Sequence, residues 1–329
     1  MPDNTGEPAD RFREKTTPFV RKLSSTSPAV SAIYTYDPST ETFPVNLERD
    51  ILNEKKNSPV KGAIYKFPGR IVILLSYTCA ANCRYCERQD RVGVGLDALG
   101  YLRSDDIQNI ISFIKTRSEI NEVVLSGGDP LMNPRGLKLL SKLLSAMDQI
   151  KILRIHTRIP VQQPDLVDME LLTEVSSQFA TCYFSVHIDH PDELTAETER
   201  ALIELRRAGF IMLAQSVFLR GVNDDAAILF QLFKRLSELG VRPYYIYHCQ
   251  AIPSTMRFVM SLEDEIQVMT RLREQLSGVA YPQHVIDIQH ARGKIIVPTS
   301  HWKSDLTRMR DFDDNWISVE EQVMHPLER

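Results

Sequence analysis

Residues 71–86 read Ile-Val-Ile-Leu-Leu-Ser-Tyr-Thr-Cys-Ala-Ala-Asn-Cys-Arg-Tyr-Cys. The first five are apolar and rich in β-branched side chains, a short continuous run of the kind that a buried strand carries. Directly beyond it, Cys79, Cys83 and Cys86 fall within eight residues. A strand that hands over to chemically capable side chains is the first instance of a pattern that repeats downstream.

Strand-like runs recur at 122–125, 152–157, 183–187, 212–217, 243–247 and 285–288. Between them lie helical patterns at 104–118, 134–147, 169–177, 196–208, 226–239 and 261–276. Ile107, Ile110, Ile111 and Ile114 mark one apolar face, and Leu137, Leu140, Leu143 and Leu144 another. Gly209 and Gly240 close two of these helices, and a Ser-x-x-Asp box at Ser261 and Asp264 opens the last. Six or seven βα units with short connections predict an α/β protein with a parallel sheet, closed as a barrel or open. Parallel α/β barrels carry their active sites at the C-terminal ends of the strands. Residues fit for chemistry stand at those positions: Cys79–Cys86, Ser126–Asp129, Arg158, His187 with Asp189 and His190, Gln215, His248 to Gln250, and Asp287 to Lys294.

The 329 residues are 43% apolar and 25% charged, which excludes a disordered chain, a collagen and a coiled coil. No apolar run reaches the roughly 18 residues of a membrane span. A net charge of −4 gives no nucleic-acid footprint. The N-terminal stretch lacks the apolar core of a secretory signal, so the expected location is cytoplasmic, where thiols stay reduced. Residues 1–62 read as a polar arm with a short helix around 47–54, either partly disordered or packed on a partner, which allows a homo-oligomer through the arm. Residues 63–299 read as the catalytic unit. Residues 300–329 read as a short acidic tail containing Asp305, Asp311, Asp313 and Asp314.

Of five cysteines, three sit at spacing x3 then x2. A [4Fe–4S] cube takes four protein thiolates as a rule. Three, with no fourth in reach, leave one iron open to a small molecule. The alternatives are a zinc knuckle, which wants four ligands at pairwise spacing, and incidental cysteines. Cys182 and Cys249 read as ordinary buried cysteines.

This motif, after the first strand of an α/β chain, resembles the radical SAM superfamily. The resemblance implies a partial (β/α)6 TIM-like barrel with an N-terminal arm, and a cluster held by Cys79, Cys83 and Cys86. It further implies S-adenosylmethionine on the open iron, cleaved by one electron to a 5′-deoxyadenosyl radical. Several stretches are similar to the lysine 2,3-aminomutase family in particular. They are Tyr65-Lys-Phe-Pro-Gly-Arg70, Val124-Leu-Ser-Gly-Gly-Asp-Pro130, Arg154-Ile-His-Thr-Arg-Ile-Pro160, His187-Ile-Asp-His-Pro-Asp-Glu193, Gln215-Ser-Val-Phe-Leu-Arg-Gly-Val-Asn-Asp224 and Arg242-Pro-Tyr-Tyr-Ile-Tyr247. The chain resembles the compact form, without the C-terminal zinc-binding cysteines of larger relatives.

The family's functional residues carry over by position. S-adenosylmethionine would meet Tyr85, Ser126, Gly127, Gly128, Asp129, His187 and Gln215. Pyridoxal 5′-phosphate would be linked to Lys294, with Lys66, Arg70 and Arg158 as phosphate partners. Arg88 would pair with the substrate α-carboxylate. Gln250 and Asp287 fall where the lysine enzymes recognise the distant ammonium with two acids, and here one of the two is neutral.

The resemblance thus implies a radical SAM, pyridoxal-phosphate-dependent isomerase that moves an α-amino group to the β-carbon of a free amino acid. An electron donor of flavodoxin or ferredoxin type would serve it. A different outcome on the same scaffold (elimination or decarboxylation), a relative free of pyridoxal phosphate, and an iron–sulfur scaffold or redox sensor are the competing readings.

Overall fold

In the computed structural model the described residues are 12–39, 41, 50–92, 100–252, 255–288, 293–303, 305 and 307–319. A nine-stranded sheet holds its strands in chain order, β1 to β9. β2 (Arg70–Ser76), β3 (Glu122–Gly127), β4 (Ile152–Thr157), β5 (Thr181–His187), β6 (Ile211–Val217), β7 (Arg242–Tyr247) and β8 (Gln283–Asp287) run parallel. β1 (Ala63–Phe67) and β9 (Lys294–Ile296) pair antiparallel at the two edges and not with each other. The barrel is therefore partial and open.

Helices cross between successive parallel strands, so strand side chains such as Ile71, Ile73, Val123, Leu125, Leu153 and Phe184 are buried, as a sheet covered by helices requires. α1 (Pro18–Ser24) and α2 (Pro28–Tyr34) precede the sheet. α3 (Ser104–Lys115), α4 (Pro134–Ser145), α5 (Ile159–Gln162), α6 (Met169–Ser177), α7 (Ala196–Arg207), α8 (Ala226–Glu238) and α9 (Leu262–Gln275) follow its strands. The expected isoleucine and leucine faces of α3 and α4 enter one core with Ile73, Leu125, Leu153 and Phe184. The start of α4 is tied to the sheet by its N-cap. Asn133 accepts from Gly136 N at 2.9 Å and donates to Leu75 O at 3.0 Å and Leu102 O at 3.2 Å.

The arm corrects its reading. Thr17 and Ser27 cap two seven-residue helices, each with Pro at its first position, a pairing of cap and proline that favours helix starts. Val20, Val30, Ile33 and Tyr34 pack with Ala81, Leu219, Val222, Cys249 and Phe258 of the same chain. The described arm therefore buries its apolar side on its own barrel, and the expected partner is not needed to cover it. Around 47–54 the expected helix is not formed over 50–54, where Asp50 caps a turn by accepting from Glu54 N and Lys55 N, each at 2.9 Å; 47–49 lie outside the described residues. Within the acidic tail, Arg308–Arg310 and Trp316–Ser318 form an antiparallel hairpin, β10 and β11. Residues 289–292, before Lys294, lie outside the described set. Among the described residues no helix is long and apolar enough to cross a membrane.

Candidate active site

A cavity of about 340 Å³ opens at the C-terminal ends of the parallel strands. It is lined by Cys79, Cys83, Cys86, Tyr85, Ser126 to Asp129, His187, Gln215, Lys66, Arg70, Arg158, Arg88, Gln250, Asp287 and Lys294, whereas Asp189 and His190, also singled out from the sequence, do not line it. The topology explains the convergence, since each belongs to a strand's end, the loop after it, or an edge strand.

The cysteine loop leaves β2 and is held from three sides. From the arm, Lys15 Nζ donates to Cys79 O at 2.6 Å, and Asn82 N donates to Lys15 O at 2.8 Å. Arg84 N donates to Ile33 O at 2.7 Å. Arg84 is wholly buried, its guanidinium bound to Glu41 and, at 2.8 Å, to Phe12 O. From α5, Gln162 bonds both the N–H and the C=O of Ala81, at 3.2 and 2.9 Å, and sets its amide 3.6 Å from Cys83 Sγ. From β3, Gly128 N donates to Ser76 O at 2.7 Å and Asp129 N to Thr78 O at 2.8 Å. A Cβ on Gly128 would stand 2.5 Å from Thr78 O, and one on Gly127 2.1 Å from Ser76 O. The two glycines thus admit the cysteine loop's backbone, a close approach that the sequence had suggested for a ligand.

Burial pushes the thiols up: Cys83 to about 11, Cys86 to about 12 and Cys79 well above its usual range. Buried thiols of this kind are poor nucleophiles, whereas a metal takes the thiolate outright. Among the described residues no group of three His, Cys, Asp or Glu could hold a single metal ion. A cube makes a different demand, since each thiolate binds its own iron, and three cysteines on one cavity wall fit it.

Arg158 was expected beside a phosphate, but its donors are engaged elsewhere. The buried guanidinium bonds Asp189 and Glu193, each at 2.6 Å, Tyr34 Oη at 2.7 Å, and Tyr85 Oη. Tyr85 in turn donates to Asp189. Asp129 accepts from Thr157 Oγ1 at 2.8 Å, Arg158 N at 2.7 Å and Leu131 N at 3.0 Å. Burial outweighs those donors and pushes its carboxyl up to about 6.

Arg88 is gripped through Nε and Nη2 by Glu54 at 2.6–3.2 Å, leaving Nη1 toward Ser126 Oγ at 3.3 Å. Burial opposes ionisation of Glu54, yet Arg88 and Arg91 hold its carboxyl below the usual range. Neither Glu54 nor its role was legible in the sequence, because it reaches the cavity from the arm, 34 residues away in the chain.

Lys294 opens β9 opposite Asp287, and its ammonium is paired with that carboxylate. It also lies 4.6 Å from the Tyr247 ring centroid. Lys66 Nζ donates to Leu52 O at 3.2 Å. Arg70 lies over the Phe67 ring at 4.8 Å and has no carboxylate partner among the described residues. An amine-bearing wall and a cation without a counter-charge suit an aldehyde cofactor that carries a phosphate. Gln250 donates to Asp287 O at 2.9 Å. Gln215 donates to Ser185 Oγ at 2.6 Å, accepts from Tyr247 Oη at 3.1 Å and lies 3.1 Å from His156. His187 is 6.1 Å from His156, ring to ring, and burial pushes it down to about 4. Cys182 and Cys249 are both buried, and Cys249 also borders the cavity.

Comparison with known proteins agrees with this geometry. Residues 73–233 match the family described as the radical SAM superfamily. The chain is 32% identical to an L-lysine 2,3-aminomutase of Buchnera aphidicola over 85% of its own length and 82% of the relative's. It is 32% identical to a putative L-lysine 2,3-aminomutase of Aquifex aeolicus, over 75% of this chain and 66% of the relative, and 31% identical to the L-lysine 2,3-aminomutase of Methanococcus maripaludis, over 84% and 64%. The chain thus spans just under two thirds of the length of those last two relatives.

Proposed function

The chain belongs to the lysine 2,3-aminomutase family of the radical SAM superfamily, and from that premise we propose that it moves the α-amino group of a free amino acid to the β-carbon, using S-adenosylmethionine and pyridoxal 5′-phosphate. The observation that carries the reading is the single cavity lined both by Cys79, Cys83 and Cys86 and by Lys294, Lys66 and Arg70.

Cys79, Cys83 and Cys86 would hold a [4Fe–4S] cluster with one iron left for S-adenosylmethionine. Lys294 would hold the pyridoxal, with Lys66 and Arg70 at its phosphate. When bound, these groups supply a hydrogen-abstracting radical and a conjugated ring that supports nitrogen migration. The chain's own work is binding, orientation and proton handling. Lys294 must shed a proton before it can act as a nucleophile, and the Asp287 carboxylate in contact with Nζ is placed to accept it. Glu54 fixes two edges of Arg88 and leaves Nη1 for a substrate carboxylate. Arg158 anchors Tyr85 and the cysteine loop in this scheme and is not a phosphate ligand. Ile64, Val72, Val124 and Val217 line the cavity with apolar surface that limits water around the reacting centre.

The test is anaerobic reconstitution with iron, sulfide and pyridoxal phosphate, followed by borohydride reduction and peptide mapping. The reading expects the reduced pyridoxyl group on Lys294, its loss in Lys294→Ala, and 5′-deoxyadenosine from reduced protein with S-adenosylmethionine. Deoxyadenosine without any covalent pyridoxal would replace it with a pyridoxal-free hydrogen-abstracting enzyme.

A further inference from the structure

Gln162 ends α5 and is 1% exposed, and its carboxamide lies on the cavity wall beside Cys83. Oε1 accepts from Ala81 N at 3.2 Å, and Nε2 donates to Ala81 O at 2.9 Å. The main-chain carbonyl of Gln162 accepts from Thr17 Oγ1 at 2.6 Å, which ties the same residue to the arm. The paired bonds to Ala81 fix which end of the amide is which. Turned over, the amide would set its oxygen against Ala81 O and its nitrogen against Ala81 N–H, and both bonds would be lost. The end that lies 3.6 Å from Cys83 Sγ is therefore the NH2 group.

A primary amide carries two N–H donors. One serves Ala81 O, and the other is left for Cys83 Sγ. A thiol is a weak acceptor, whereas a thiolate on iron is anionic and takes a charge-assisted bond. The donor comes from the segment after β4 and not from the cysteine loop. Its anchors on Ala81 and Thr17 hold it in place whatever the charge on the sulfur.

Reduction of a [4Fe–4S] cube takes one electron from a ferredoxin- or flavodoxin-type donor and makes or breaks no bond. It adds negative charge that spreads onto the sulfurs. An N–H aimed at one of them is worth more after reduction than before, so it raises the reduction potential.

We propose that Gln162 is a redox-tuning residue: its Nε2–H bonds the Cys83 thiolate, stabilises the reduced cluster and so eases the electron transfer that opens the reaction. This inference rests on the [4Fe–4S] cluster of the reading above and is independent of its pyridoxal phosphate and its substrate. Arg158, with Asp189 and Glu193 bound to it, also faces Cys83. Those charges are common to every variant below, so differences between variants read the amide.

The test is a redox titration of the anaerobically reconstituted protein, without S-adenosylmethionine, followed by the EPR signal of the reduced cluster at matched iron and sulfide content. Gln162→Met, close in size but without a donor, should shift the one-electron equilibrium about tenfold toward the oxidised cluster, a potential about 59 mV more negative. Gln162→Leu has a different shape and equally no donor, and should fall by the same amount. A Gln162→Met protein with a full cluster and an equilibrium within about twofold of wild type overturns the proposal, as does a rise in potential. Pulsed EPR gives a second reading that needs no variant to assemble. Wild type carrying 15N in its glutamine side chains should show a weak 15N coupling to the reduced cluster, and its absence overturns the bond to Cys83. A reconstituted wild type with no cluster signal at all overturns the cluster reading itself, and this inference with it.

Discussion

Arg84 and Glu41 form an ion pair in which both side chains are 0% exposed, and the pair ties the residue between Cys83 and Tyr85 to the N-terminal arm. The fork geometry is met on three edges, two by the carboxylate and one by Phe12 O. Breaking such a pair strands a charge in the interior, which costs about 3–5 kcal/mol. Glu41→Ala and Arg84→Ala should each lower the urea midpoint accordingly, and both should retain less iron after reconstitution. Arg84→Lys keeps the charge but loses the fork, so it should recover little. Unchanged midpoints and full iron content would show that the arm does not hold the cysteine loop.

Gly128→Ala tests the contact between β3 and the cysteine loop. The new Cβ would meet Thr78 O, a backbone atom, at 2.5 Å. A misfit of that kind costs about 1–3 kcal/mol, read as a lower melting temperature. Full stability in this variant would mean that the two loops are free to separate.

The protonation of His187 yields a pH prediction. Burial holds it down to about 4 in the folded protein, against about 6.5 unfolded. Between those values the unfolded chain binds more protons, so stability rises with pH from about 4 to 6.5 and the loss is complete below about 4. His187→Gln should flatten the cofactor-free protein's stability curve over that interval relative to wild type. An unaltered slope would assign the pH dependence elsewhere.

Gln250→Asp restores a carboxylate beside Asp287 and should shift binding toward lysine by about tenfold, the scale of one hydrogen bond to a charged group. The readout is the pyridoxal absorbance titration. No shift would place Gln250 outside the substrate pocket.

The barrel was legible because its strands are continuous apolar runs and its helices keep a 3.6-residue period. The span 152–157 was bounded from the sequence without error, and 169–177 likewise. Cap chemistry at Thr17-Pro18 and Ser27-Pro28 was also present to be read, but each helix is only seven residues long, too short for a periodic signal. Most of the cavity residues were legible in position, since they end a strand or follow one, while Lys66, Arg70 and Lys294 lie within or open a strand and were placed by the family resemblance. Their partners were not. Glu41 and Glu54 reach the site from the arm, and Glu265 reaches His248 from a helix on the outer layer, pairings that depend on tertiary packing. Arg158 shows the same limit: its place was foreseen, whereas its bonds to Asp189 and Glu193 arise from two other segments.

The most direct measurement is the fate of an α-15N label. Anaerobically reconstituted protein, reduced in the presence of S-adenosylmethionine and pyridoxal phosphate, is given an amino acid panel, and the products are resolved by NMR. The account predicts 15N on C3 for at least one amino acid, and no such product from Cys83→Ala or Lys294→Ala. Deoxyadenosine release with all label left on C2, or C3-labelled product from Cys83→Ala, would contradict it.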